Sequence, residues 1–69
     1  MQIRAELTGN LWKVVVKEGQ SVAQDETIMV LESMKMEIPV TAPRPGKISR
    51  LLAKEGETVQ EGQVLAELE

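Results

Sequence analysis

The chain contains a repeat. Shifted by 37 positions against itself, residues 1–32 align with residues 38–69 without a gap. Eight of the 32 aligned positions are identical, among them Gly9/Gly46, Lys17/Lys54, Glu18/Glu55, Gly19/Gly56 and Val22/Val59. Unrelated sequences of ordinary composition share roughly 6% by chance, against the 25% found here. Ile3/Val40, Leu11/Ile48, Val14/Leu51 and Ile28/Leu65 are like-for-like pairs. Two related halves should share one structure, so the repeat predicts a quasi-two-fold axis. The residues left over, Ser33-Met34-Lys35-Met36-Glu37, link the halves. A single domain over residues 1–69 is expected, since 69 residues allow one small core and no more.

Equivalence also decides the secondary structure. Leu51-Leu52-Ala53-Lys54-Glu55 could open a helix on propensity alone, but its mate Val14-Val15-Val16-Lys17-Glu18 is β-branched and favours a strand. Both are therefore read as strands. Each half is expected to hold four. These are Ile3–Ala5 and Val40–Ala42, Leu11–Lys17 and Ile48–Lys54, Ser21–Val22 and Thr58–Val59, and Thr27–Glu32 and Val64–Leu68. Gly19 and Gly56 end the long strands in turns that need φ > 0, and Asp25 stands opposite Gly62 as a residue that tolerates the same region. Short strands at even spacing indicate an all-β sandwich or flattened barrel. The continuous apolar run Ile28–Leu31 breaks strict alternation, which a bulge or burial on both faces would explain. Pro39 should lie where no ladder partner needs its missing N–H.

Composition excludes most chemistry. There is no Cys and no His, so the chain lacks a thiolate nucleophile, the usual general base and the commonest metal ligands. No metal site and no catalytic residue are expected. One Trp with no Phe or Tyr gives no stacking platform for bases, and a net charge of −3 disfavours nucleic acid and membrane surfaces. Stability must come from aliphatic packing by 19 Val, Leu and Ile residues. A cytoplasmic monomer is expected.

Between two strands, Glu32 to Glu37 must reverse the chain, and a β-hairpin with Lys35 at or near its tip is the tight way to do so. The turn has no twin, because its symmetry mate is the pair of chain ends. It should project alone from one end of the domain, with the termini at the other. Hairpin turns favour Gly, Asn, Asp and Pro. Here a lysine sits between Met34 and Met36, and exposed flexible methionines suit an adaptable contact surface.

The full chain resembles the biotinyl/lipoyl attachment domains, and most closely the free-standing bacterial attachment proteins. The core of the match is Glu32-Ser33-Met34-Lys35-Met36-Glu37. Ala42-Pro43 followed by Gly46, and Lys54-Glu55-Gly56 with Val59 and Gly62, resemble two further family segments. Leu7-Thr8-Gly9-Asn10 departs from the Pro-Met-Pro-Gly run of many carboxylase carriers, and there is no room for the thumb loop of some acetyl-CoA carboxylase carriers. The resemblance implies a flattened barrel of two four-stranded antiparallel sheets, the barrel-sandwich hybrid. It implies that Lys35 is biotinylated by a biotin protein ligase, with Met34 and Met36 read as flanks. It implies a non-catalytic carrier whose arm takes CO₂, as carboxybiotin, between the biotin carboxylase and carboxyltransferase components of a biotin-dependent carboxylase. Tethering raises the effective concentration at both sites.

Two other readings stand beside it. Lipoate attached by a lipoylating enzyme uses the same fold, although an Asp-Lys-Ala flank is commoner there. An unmodified module could use the Met-rich hairpin as a docking knob. Trp12 reads as a partly buried covering residue before an interface anchor. Glu32 and Glu37 read equally as solvated charges or as groups steering a basic ligase. Glu55/Glu57 and Glu67/Glu69 lie at turns or chain ends with no convergent partner for acid–base chemistry or calcium.

Overall fold

The computed structural model describes all 69 residues. Eight strands follow in order: β1 (Gln2–Arg4), β2 (Gly9–Val14), β3 (Ser21–Val22), β4 (Thr27–Ser33), β5 (Met36–Thr41), β6 (Gly46–Leu51), β7 (Thr58–Val59) and β8 (Val64–Leu68). They form two four-stranded sheets, ordered β1-β8-β6-β3 and β5-β4-β2-β7, with every pairing antiparallel. Exchanging each strand for its repeat mate turns one order into the other.

The symmetry extends to single residues. Gly9 pairs with Val59 as Gly46 pairs with Val22. The ladder between β4 and β5 skips Ile28, and the ladder between β8 and β1 skips its mate Leu65. These bulges account for the broken alternation, since Ile28 and Met29, like Leu65 and Ala66, are buried side by side. A second pair of bulges falls at Trp12 in β2 and Ser49 in β6. Cross-half hydrogen bonds are matched too. The Glu55 carboxylate accepts from the Val14 amide at 3.1 Å, and the Glu18 carboxylate accepts from the Leu51 amide at 2.9 Å.

Most strands differ from expectation by a residue or two at an end, and Ala5 and Ala42 fall outside β1 and β5; the larger differences are at the long strands and at β5. The long strands stop at Val14 and Leu51, not at Lys17 and Lys54. Val15 and Leu52 still donate to the bulged residues Ile28 and Leu65, but the chain is then drawn into turns in which Gln20 donates to the Lys17 carbonyl and Glu57 to that of Lys54. In the other direction, β5 starts at Met36 and runs six residues, whereas its mate β1 has three. The tight link to β4 holds β5 in register from Ser33↔Met36 onward. Pro39 lies in β5, an edge strand. Counting from the turn, its missing N–H falls on the side away from β4.

Fifteen residues are buried, all of them apolar, with no buried polar or charged side chain. Fourteen are repeat-related pairs, such as Leu11/Ile48, Val22/Val59, Ile28/Leu65 and Leu31/Leu68. The odd one, Ile3, is mated with half-buried Val40. Unequal pairs such as Met29/Ala66 and Val16/Ala53 fill a shared core between the sheets. The resulting body has extents of 30 × 18 × 17 Å, and the hairpin between β4 and β5 continues one of its sheets.

Candidate functional site

The hairpin is built from its register. Ser33 pairs with Met36, so only Met34 and Lys35 turn the chain. Their φ values are 53° and 65°, both in the left-handed region, which is the signature of a type I′ turn. That turn matches the right-handed twist of two strands joined by two residues, and Asn-Gly is its preferred sequence. Met and Lys have neither an Asn-type side chain nor a missing Cβ. Holding each of them there costs about 1–2 kcal/mol. The turn persists because β4 and β5 over-determine it. They pair from Thr27↔Thr41 to Ser33↔Met36, and Leu31 and Ile38, two rungs behind the tip, are respectively buried and half-buried.

The turn presents its side chains outward. Met34 is 91% exposed and Met36 61% exposed. Lys35 is exposed, and its amine takes no part in the side-chain hydrogen bonds of the fold. One rung behind, Glu32 and Glu37 face each other across the ladder, both exposed. Like charges in that position are mildly destabilising. The hairpin end therefore carries an amine, two thioethers and two carboxylates, none of them used in packing the domain. It can be approached from several sides, and the lysine amine stands exposed at the two-residue turn.

The remaining candidates have other surroundings. Trp12 sits at the β2 bulge and is 51% exposed. The Glu55 carboxylate caps Val14, and Glu57 accepts from the Lys54 amide and the Gln63 side chain. A groove of about 350 Å³ follows the seam between the β1 and β5 edges, lined by Ile3, Leu31, Ile38 and Val40 among others, and it does not include Lys35. Sequence reading gives Gly9 no part in the site beyond its repeat pairing with Gly46. Gly9 lies under the end of the hairpin, where an added Cβ would meet the Glu32 carbonyl. No local motif signals this, because the contact joins residues 23 positions apart.

The family model described as "Biotin-requiring enzyme" matches residues 1–68. The biotin/lipoyl attachment protein of Bacillus subtilis (strain 168) is 47% identical over 68 residues, which cover 99% of this chain and 93% of that protein. The biotin-dependent acyl-coenzyme A carboxylase alpha3 subunit of Mycobacterium leprae (strain TN) is 44% identical over 66 residues, covering 96% of this chain but 11% of the subunit. Among solved structures, a single-chain, multi-domain long-chain acyl-CoA carboxylase superposes with a TM-score of 0.91 at 32% identity, over 96% of this chain and 7% of that one.

Proposed function

The chain belongs to the biotin/lipoyl attachment family and is a biotin carrier domain, and from that premise we propose that Lys35 is the residue that takes the biotin. The observation that carries this assignment is the strained turn. Both residues that reverse the chain are non-glycine at positive φ, and one of them is the exposed lysine. A local choice that opposes the fold needs a reason outside the fold, and an amine that must stand at the outermost point supplies one.

The chain's own part in the chemistry is presentation. A lysine side chain ends in an ammonium with no lone pair free to attack. A biotin protein ligase therefore has to supply an activated biotinyl-adenylate and accept a proton. The Lys35 nitrogen then attacks the acyl carbon, an amide bond forms and AMP leaves. The two-residue turn holds the amine away from the sheet faces, and Met34 and Met36 give the ligase apolar surface to grip. When attached, biotin supplies a ring nitrogen that carries CO₂, and the lysine stem adds its own reach to the arm. The domain contributes no catalytic group to either half-reaction. Its working partners are the ligase and the two active sites of a biotin-dependent carboxylase, which it visits as a cytoplasmic monomer. Relatives that are parts of carboxylases support the second half of this reading.

The test is intact mass after co-expression with a biotin protein ligase in a host that can also lipoylate. One biotinyl adduct is expected, absent from Lys35→Arg, in which the charge is kept and the acceptor amine is lost. An adduct that persists in Lys35→Arg refutes the assignment. A lipoyl adduct in place of the biotinyl one would move the domain to the second cofactor of its family.

A further inference from the structure

We propose that Gly9 is a positioning residue for acylation of Lys35, acting by leaving room beneath the last rung of the hairpin. This rests on the reading of Lys35 as the acceptor. A Cβ at position 9 would lie 2.8 Å from the Glu32 carbonyl oxygen and 3.4 Å from the Ser33 Cβ. Glu32 and Ser33 are the two residues that lead into Met34-Lys35. Gly9 does not sit in the left-handed region, unlike Gly19, Gly56 and Gly62, so space and not backbone conformation is what its missing side chain provides.

The contact is with backbone, so no side-chain rotation can relieve it. Reaching the ordinary separation of 3.4 Å requires position 9 and the Glu32 carbonyl to part by about 0.6 Å. Behind Glu32, the hairpin is pinned by buried Leu31, Met29 and Ile28. Ahead of it there are only the last rung, Ser33↔Met36, shared with the edge strand β5, and the exposed turn. The displacement therefore passes outward, and Met34, Lys35 and Met36 are carried with it. Acyl transfer is sensitive to such shifts, on the order of 10²-fold for a misplacement of 1 Å. The lysine stem can bend to recover some of this at the amine. The flanking backbone cannot, so the loss should appear in recognition, as a raised KM.

The repeat provides a matched control. Gly46 is the mate of Gly9, and a Cβ there would meet the Glu69 carbonyl together with Leu68 Cγ at 3.0 Å and Cδ1 at 3.1 Å. The same substitution in the mate therefore strains the chain end and the buried Leu68 side chain, on strands that do not lead into the turn.

The experiment compares wild type, Gly9→Ala and Gly46→Ala as substrates for a biotin protein ligase. Modification is read by intact mass, and rates are normalised to the folded fraction from circular dichroism. All arms contain trimethylamine N-oxide to favour the folded state. Amide resonances of Met34 and Lys35 are recorded in each. Gly9→Ala should lose at least tenfold in kcat/KM, chiefly through KM, with its turn resonances displaced. Gly46→Ala should stay within twofold of wild type, with those resonances in place. Equal losses in both variants, or a Gly9→Ala rate within twofold of wild type, would overturn the proposal. So would a Gly9→Ala chain that stays unfolded in the osmolyte, since that assigns the residue to stability alone. Failure of the wild type to be biotinylated strikes instead at the assignment of Lys35.

Discussion

Replacing Met34-Lys35 by Asn-Gly should make the domain more stable while destroying its acceptor. Both residues stand at positive φ, at 53° and 65°, each at a cost of about 1–2 kcal/mol for a side chain of this type. Asn relieves most of that strain at the first position, and Gly relieves all of it at the second. Glycine gives part back, about 0.5–1 kcal/mol, because it frees the unfolded chain. Little packing is lost, since Met34 is 91% exposed and Lys35 is exposed. The net gain is about 1–2 kcal/mol, which for a domain of this size raises Tm by about 5–15 °C. Thermal and urea melts followed by far-UV circular dichroism measure it, with an unchanged m value showing that the unfolded state is not the source. Met34→Asn alone should recover about half of the gain and still be acylated on Lys35. A double variant with the Tm of the wild type, or a lower one, would refute the claim that the turn is strained. It would also remove the reason for reading the lysine's position as functional.

Other consequences follow from the same geometry. Glu18→Ala should cost about 1 kcal/mol, because it removes the hydrogen bond to the Leu51 amide, and Glu18→Gln should cost less, since it keeps an acceptor; urea melts of both test this. Glu55→Ala should match it through Val14, the symmetric site. Gly56→Val should cost more than the roughly 1 kcal/mol of an ordinary glycine exchange, from backbone strain alone, since a Cβ there meets nothing within 4 Å. Gly62→Asn should melt close to wild type, because Asp25 already holds the equivalent place at φ 67°. Met34→Asp with Met36→Ala should leave Tm within a few degrees, slow biotinylation and spare lipoylation; equal biotinylation rates would show that the ligase reads hairpin shape and not the methionines.

The alignment of the chain with itself made most of the architecture legible. It placed Asp25 opposite Gly62, and both have positive φ. It also set Leu51–Glu55 against a β-branched mate and so excluded a helix there, although only Leu51 of that stretch belongs to β6. What it could not supply is whatever breaks the symmetry. The length of β5 follows from covalent linkage to β4 across two residues, a restraint that its mate β1 lacks, and no residue type within Ile38–Thr41 announces it. At the early ends of β2 and β6 the Val14 and Leu51 amides donate to carboxylates from the opposite half, Glu55 and Glu18, and a long-range partner leaves no local pattern. At the site, Lys35 stood out because its neighbours are wrong for a turn. Gly9 did not, because a glycine that makes room looks like any glycine that opens a strand.

The pairing of the two chain ends has a mechanical consequence. Met1 and Leu68 exchange backbone hydrogen bonds of 2.7 Å, and the repeat maps this pair onto Ile38 and Leu31 at the base of the hairpin. Chain entering and chain leaving the fold thus meet at one point, the point where a second turn would stand. Joined there, the domain becomes a closed ring whose outermost corner is untouched. Spliced there into a longer polypeptide, it hangs from a single pivot, and pull or drag on the flanking chain is borne by β1 and β8 without crossing the β4–β5 ladder. A module with that wiring can be moved between host chains as a unit, because the loads of attachment and the shape of the turn run through different strands.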